Sequence, residues 1–213
     1  MTRTPSWDEA SYSSRAGLSG AEGEAIHRLP ATASAIEVAE ALGLEPHREG
    51  GFFRETYRSP LAVHTREGTR PLATAIIYLL TAGSPSRFHR LRFEEIWFFH
   101  AGCRAEMVML ESDARRRRSR TQLLGADRPQ VLVPTGTWLG VRVAPLQAAG
   151  EAVKVDTEAD GAAEDDPVGS GRHWTLVGCV VTPGFEYEDF ELGSRDVLLV
   201  AFPEHAEIVT AFT

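Results

Sequence analysis

The stretch Phe88-His89-Arg90-Leu91-Arg92-Phe93-Glu94-Glu95-Ile96-Trp97-Phe98-Phe99-His100-Ala101-Gly102 decides how the chain is read. Aromatic and β-branched residues from Glu95 to Phe99, closed by a glycine, predict a strand. Successive strand side chains point to opposite faces, so Glu95, Trp97 and Phe99 share one face and Ile96, Phe98 and His100 the other. With the first set inward, a carboxyl stands among apolar walls, where burial raises its pKa and suits it to general acid or base work near neutrality. His89 falls where a loop enters the strand and is the best candidate proton carrier.

Outward from this stretch the same period recurs. Phe52 to Tyr57, Ala73 to Leu80, Ala105 to Leu110, Val131 to Pro134, Trp138 to Val143, Trp174 to Val181, Glu188 to Glu191 and Val197 to Phe202 are runs of strand length between Pro, Gly and charged connections. So many short strands indicate an all-β sandwich or β-barrel and argue against alternating βα units. Before them, Ser34-Ala35-Ile36-Glu37 offers a capping box, and Ile36, Ala39 and Leu42 recur at helical spacing before Gly43, predicting a short N-terminal helix from Ala35 to Leu42.

Composition narrows the classes of function. The formal charge of -8 gives no general attraction to nucleic acid or anionic membranes, and all but one of the 22 basic residues are arginine, the exception being Lys154. No stretch approaches the roughly 18 to 20 apolar residues of a membrane span, and residues 1–24 lack the apolar core of a signal peptide, so a soluble cytoplasmic protein is expected. Cys103 and Cys179 lie in apolar surroundings without metal-site spacing and read as buried thiols. Residues 1–30 read as an irregular arm and 31–213 as one domain, with mobile loops at 112–128, which holds the arginine run Arg115 to Arg118, and at the acidic span 150–172. Nucleophile elbows, phosphate-binding glycine loops and dinucleotide fingerprints do not occur.

The strands, the His89-to-Glu95 segment and the turn Pro134-Thr135-Gly136 together resemble a cupin, an RmlC-like double-stranded β-helix or jelly roll. The blocks Gly51 to Ser59, Ala75 to Leu80, Phe88 to Leu91, Glu95 to Gly102 and Pro183 to Glu191 resemble more specifically the cupin-5 family. At the two histidines, the glutamate and the glycine of the first cupin motif this chain has His89, Leu91, Glu95 and Gly102. At the Pro, Gly and His of the second it has Pro134, Gly136 and Leu139. Of the usual metal ligands only His89 and Glu95 remain. The resemblance therefore implies no metal or other cofactor; the alternative, a divalent transition metal at His89 and Glu95, would need water, substrate or inward-folding His100, Glu55 or Glu186 to complete its shell.

Residue by residue, the candidate site is drawn as follows. His89, Glu95 and Tyr78 are the catalytic candidates, Tyr78 because a phenol inside an apolar strand enters a cavity and seeks one hydrogen-bond partner. Arg54, Glu55, Tyr57, Trp97, Phe99 and Trp138 are the substrate-binding candidates: Arg54 as a clamp for an anion or enolate, Glu55 with Tyr57 on the alternate face for hydroxyls, and Trp138 for stacking. The leading expectation is a metal-independent epimerase or isomerase acting on a small polar or carbohydrate-like metabolite. The alternatives are a non-catalytic small-ligand binding or storage-like protein and a metal-dependent oxygenase or decarboxylase. The resemblance and the exposed edges of a jelly roll also imply a homodimer.

Overall fold

A computed structural model of the chain describes residues 33–112, 117–145 and 173–213; the arm expected over 1–30 and the acidic span 150–172 lie outside the described residues. Helix α1 (Ala35–Ala41) opens on a reciprocal cap: the Glu37 N–H donates to Ser34 Oγ, and the Ser34 N–H donates to the Glu37 carboxylate. Strands follow as β1 (Glu45–Pro46), β2 (Phe52–Arg58), β3 (Ala62–Thr65), β4 (Gly68–Pro71), β5 (Thr74–Thr81), β6 (Ser86–Leu91), β7 (Glu94–Gly102), β8 (Ala105–Ser112), β9 (Arg117–Leu124), β10 (Gln130–Val133), β11 (Trp138–Val143), β12 (Trp174–Thr182) and β13 (Phe190–Leu192). Two C-terminal helices close the chain, α2 (Arg195–Ala201) and α3 (Ala206–Ala211).

The strands form two antiparallel sheets and a hairpin. One sheet has six strands in the order β1-β2-β5-β12-β7-β10, the other has five in the order β13-β6-β11-β8-β9, and β3 pairs with β4. Alternation along the facing strands puts Tyr78, Trp97, Val177 and Cys179 of the first sheet against Met107, Met109, Leu139 and Val141 of the second, and these form the central core. The outer face of the six-stranded sheet packs on α1 through Ile77, Leu79 and Leu176. The outer face of the five-stranded sheet packs on α2 and α3 through Phe88, Val108 and Trp138. This is the jelly-roll sandwich with a short N-terminal helix. No helix among the described residues is long and apolar enough to cross a membrane.

Three expectations are corrected. The sheets do not close into a β-barrel: among the described residues no ladder joins an outer strand of one to an outer strand of the other. Closure needs a continuous register around the ring, and the edge strands β1, β10 and β13 are too short to carry it. Within the span 112–128, read as a mobile loop, Arg117–Leu124 form β9, which pairs along β8 from Ala105↔Leu124 to Ser112↔Arg117. The run Val197 to Phe202, read as a strand, belongs to α2 and its C-cap. Leu198 and Phe202 are buried while Val197 and Val200 are exposed, a helical spacing that its β-branched residues disguise.

Candidate functional site

Register arranges the inner face of the six-stranded sheet in rows. Across the strands run Glu55–Ile76–Cys179–Trp97, then Arg58–Thr74–Val181–Glu95, then Phe53–Tyr78–Val177–Phe99. His89 and Leu91 of β6 face these rows from the other sheet. Between them lies a cavity of about 260 Å³. Its floor includes Tyr78, His89, Glu95 and Trp97, and its mouth is formed by Glu45, Glu55, Arg58, Glu186 and Tyr187.

One irregularity decides which residues reach the cavity from β2. Glu55 is opposite Ile76 but Tyr57 is opposite Ala75, so the register slips between them and the alternation resets. Phe53, Glu55 and Arg58 therefore line the cavity and Tyr57 does not. Arg54, opposite Ile77, is on the outward-facing register of the sheet and is likewise absent from the lining. The anion or enolate clamp expected from it has no place there. Trp138 packs in the outer cluster with Phe88 and Phe212, under the Arg90 guanidinium at 4.6 Å, because its neighbour Leu139 takes the inward position. Phe99 ends the third row beyond Val177 and fills core instead of lining the cavity.

The loop before β2 supplies residues that the sequence reading passed over. Gly50 and Gly51 both have positive φ, and a Cβ on Gly51 would stand 2.4 Å from the Leu79 carbonyl oxygen. Only glycine lets the chain press so closely on β5. That approach fixes the loop: the Tyr78 O–H donates to the Gly50 carbonyl at 2.7 Å, and His47 and Glu49 are carried into the cavity. The one available signal was a His and a Glu flanking Arg48 just ahead of a Gly-Gly turn, a spacing with no distinctive motif.

Glu49 is 5% exposed, Glu95 7% and His89 3%. Burial pushes the Glu49 carboxyl up to about 7, opposed by His47 and by the Ser86 hydroxyl, which donates to Oε2 at 2.8 Å. Burial also lifts Glu95 to about 7, opposed by His89 and by the nearby Trp97 indole. Burial lowers His89, with Glu95 pulling it back, and raises Tyr78 well above the ordinary phenol. Trp97 is 1% exposed, and its Nε1 has no acceptor in hydrogen-bonding geometry among the described residues.

Hydrogen-bond partners fix the imidazole tautomers. His89 Nδ1 lies 2.9 Å from the Arg87 carbonyl, which can only accept, and 3.2 Å from Glu49 Oε2. Nδ1 therefore carries the proton and Nε2 is the basic nitrogen. His47 is the reverse: its Nδ1 accepts from the Glu49 N–H at 3.3 Å, leaving the proton on Nε2. The site thus holds one imidazole base, one imidazole donor and two carboxyls poised to exchange protons near neutrality.

At the mouth, Arg58 forks onto Glu55 at 3.0 and 2.9 Å and reaches Glu186 at 2.7 Å. A buried pair anchors the same lip, the Arg70 guanidinium reaching Asp189 at 2.6 and 3.2 Å and so tying the β3–β4 hairpin to the turn that follows Glu186.

The metal site of the fold does not fit these residues. Leu139 is directly opposite His89 and Leu91 lines the cavity, so apolar side chains hold two ligand positions. No group of three or more His, Cys, Asp or Glu among the described residues is placed to hold a metal ion.

Residues 36–193 match the family described as Cupin superfamily (DUF985). The chain belongs to this cupin family. It is similar in structure to a hypothetical protein from Leishmania major, with 32% identity and a TM-score of 0.69 over 85% of this chain and 99% of that one. It is also similar to a protein from Shewanella oneidensis, with 34% identity and a TM-score of 0.66 over 85% and 98%. No curated protein matches the chain. A cupin with a cavity of this size and polarity is equipped to bind a small molecule, and its apolar ligand positions set it apart from a metal-binding arrangement within the same fold.

Proposed function

We propose that this cupin is a metal-independent isomerase or epimerase that moves a proton on a small polar metabolite. The observation that carries the reading is that two buried carboxyls with pKa values near 7, Glu49 and Glu95, share one cavity with the basic Nε2 of His89. Such a set can exist in protonated and ionised forms together at working pH, as proton removal and return require.

In the proposed step a C–H beside a substrate carbonyl gives its proton to His89 Nε2. The C–H electron pair forms a C=C bond with the carbonyl carbon, the carbonyl π pair moves onto the oxygen, and a protonated Glu95 donates its proton to that oxygen, leaving an enol and an ionised Glu95. Return of a proton to carbon restores the carbonyl, at the same carbon for an epimerisation or its neighbour for an isomerisation, so no co-reactant is consumed. The His89 Nδ1–H donates to the Arg87 carbonyl, and the Glu49 carboxylate, 3.2 Å from Nδ1, steadies the transient imidazolium. Tyr78, whose proton is committed to Gly50, orients the substrate and is not the acid.

The test is deuterium wash-in. Protein in D2O is incubated with a panel of hydroxy-aldehydes, hydroxy-ketones and neutral and amino sugars, and loss of C–H signals is followed by proton NMR. Wild type should exchange at least one panel member and Glu95→Gln should not. Ligand binding without exchange anywhere in the panel would leave a binding protein.

A further inference from the structure

The balance of charge around the cavity bears on what can enter it. Five carboxylates, Glu45, Glu49, Glu55, Glu95 and Glu186, line the cavity, against one arginine, Arg58. That arginine does not offer an anion its fork: both its edges are occupied, one bidentately by Glu55 and the other by Glu186. His47 and His89 are buried and pushed toward their neutral forms. A phosphate or carboxylate would therefore enter a negative, desolvated site whose one lining arginine is already paired to carboxylates.

A cation meets the opposite conditions. Carboxylates held in low dielectric are poorly solvated, so an ammonium placed between them gains far more than it would in water. The walls are aromatic, from Trp97 and Tyr78 at depth to Phe53, Phe185 and Tyr187 nearer the mouth, and their faces attract cations. The mouth already demonstrates this: the Arg48 guanidinium sits 4.4 Å over the Tyr187 ring. A separate observation points to a ligand with an acceptor as well. The buried Trp97 N–H, beside the Glu95 carboxyl whose pKa it helps to lower, meets no acceptor in good hydrogen-bonding geometry among the described residues, although Trp97 lines the cavity. A hydroxyl or carbonyl oxygen on the ligand would satisfy it.

We infer that the ligand of this site is a small organic cation, an ammonium on a hydroxylated or carbonyl-bearing frame, and that the cavity rejects phosphorylated and carboxylated metabolites. The inference deepens the proton-transfer reading and rests on the same cavity being the ligand site. The ammonium would lie toward an ionised Glu49, with the ligand's acceptor oxygen toward Trp97 and the protonated Glu95. An amino group next to the reacting carbon would also acidify the C–H that His89 removes.

The test uses three probes, glucosamine, glucose and gluconate, titrated calorimetrically into the full chain at pH 7, where the glucosamine amine is largely protonated, and followed in parallel by saturation-transfer NMR. A charge-assisted contact predicts that glucosamine binds about tenfold or more tighter than glucose, with gluconate not detected. The preference should fall toward unity in Glu49→Gln and by less in Glu95→Gln, while circular dichroism shows both variants folded. Trp97→Phe should weaken glucosamine and glucose alike, because it removes the acceptor contact and not the charge. Gluconate binding as tightly as glucosamine, no binding of any probe, or a preference unmoved in both glutamine variants overturns the inference. Glucosamine binding with no deuterium exchange would sink the isomerase reading and leave the charge selection standing. Equal binding of glucose and glucosamine, with exchange, would do the reverse.

Discussion

Replacing Glu95 by Gln should change stability in a way that depends on pH, and the size follows from its burial. In the unfolded chain this carboxyl ionises near its ordinary 4.5; in the folded chain it ionises only at about 7. Folding is unaffected by the group while both states are protonated. As pH rises past 4.5 the unfolded chain ionises first and is stabilised relative to the folded one, so folding stability falls until the folded group also ionises, and is level above pH 7. Gln retains the shape and cannot ionise. Relative to wild type, Glu95→Gln should therefore be more stable at pH 8 than at pH 5 by about 2 to 3 kcal/mol, taking about 1.4 kcal/mol per pKa unit over the interval between the two values. The assay is urea unfolding followed by tryptophan fluorescence for both proteins at both pH values. The quantity read is the difference of differences, which cancels other titrating groups. With a slope of about 2 kcal/mol per molar urea it appears as a relative midpoint shift of about 1 M. An identical wild-type-to-variant difference at pH 5 and pH 8 would show that Glu95 titrates as an exposed carboxyl, and the acid-base assignment would go with it.

Other consequences can be checked alongside. His89→Gln should lower the deuterium wash-in rate by about two to four orders of magnitude, measured by NMR on whichever panel compound wild type exchanges; an unchanged rate removes His89 as the base. Gly51→Ala places a Cβ against the Leu79 carbonyl at positive φ and should cost about 2 kcal/mol or more in chemical denaturation; a neutral result would mean that the loop carrying Glu49 is not pressed on β5. The double substitution Leu91→His with Leu139→His should create a stoichiometric Zn²⁺ site with His89 and Glu95, since imidazoles and a carboxylate complete a tetrahedral shell. Calorimetric titration of Zn²⁺ that matches wild type would mean that the two leucines do not flank His89 as the register places them.

The strands were legible because their aromatic and β-branched runs alternate over one buried face, and the helix α1 because Ser34 and Glu37 spell out its cap. Helix α2 was not, because Val197 to Val200 carry a strand's composition and only packing of Leu198 and Phe202 on the outer sheet makes them helical. Alternation placed Glu95 and Trp97 on one face, and both line the cavity. It misdirected the choice at Tyr57, where a slip in register admits Arg58 instead, and it could not show that Arg54 would be on the outward register or that Trp138 would leave the inward position to Leu139. Glu49 and His47 come from a loop with no period at all. Their place depends on a glycine pair meeting β5, a contact between segments far apart in the chain that spacing alone does not encode.

The slip beside Thr56 has an implication for how this scaffold diversifies. A single inserted backbone position chooses whether a phenol or a guanidinium stands at the rim, with every side chain in the segment unchanged. Were the intact strand to pair without the slip, Tyr57 would stand opposite Thr74 and Arg58 would leave the rim, so that Glu55 and Glu186 lost their shared counterion and a partly compensated aperture became strongly anionic; deleting Thr56 would instead regularise the pairing and keep Arg58 in place. Relatives that differ only in whether this strand slips would thus differ in the charge of the molecules they admit, a divergence that a comparison of residue identities alone would miss.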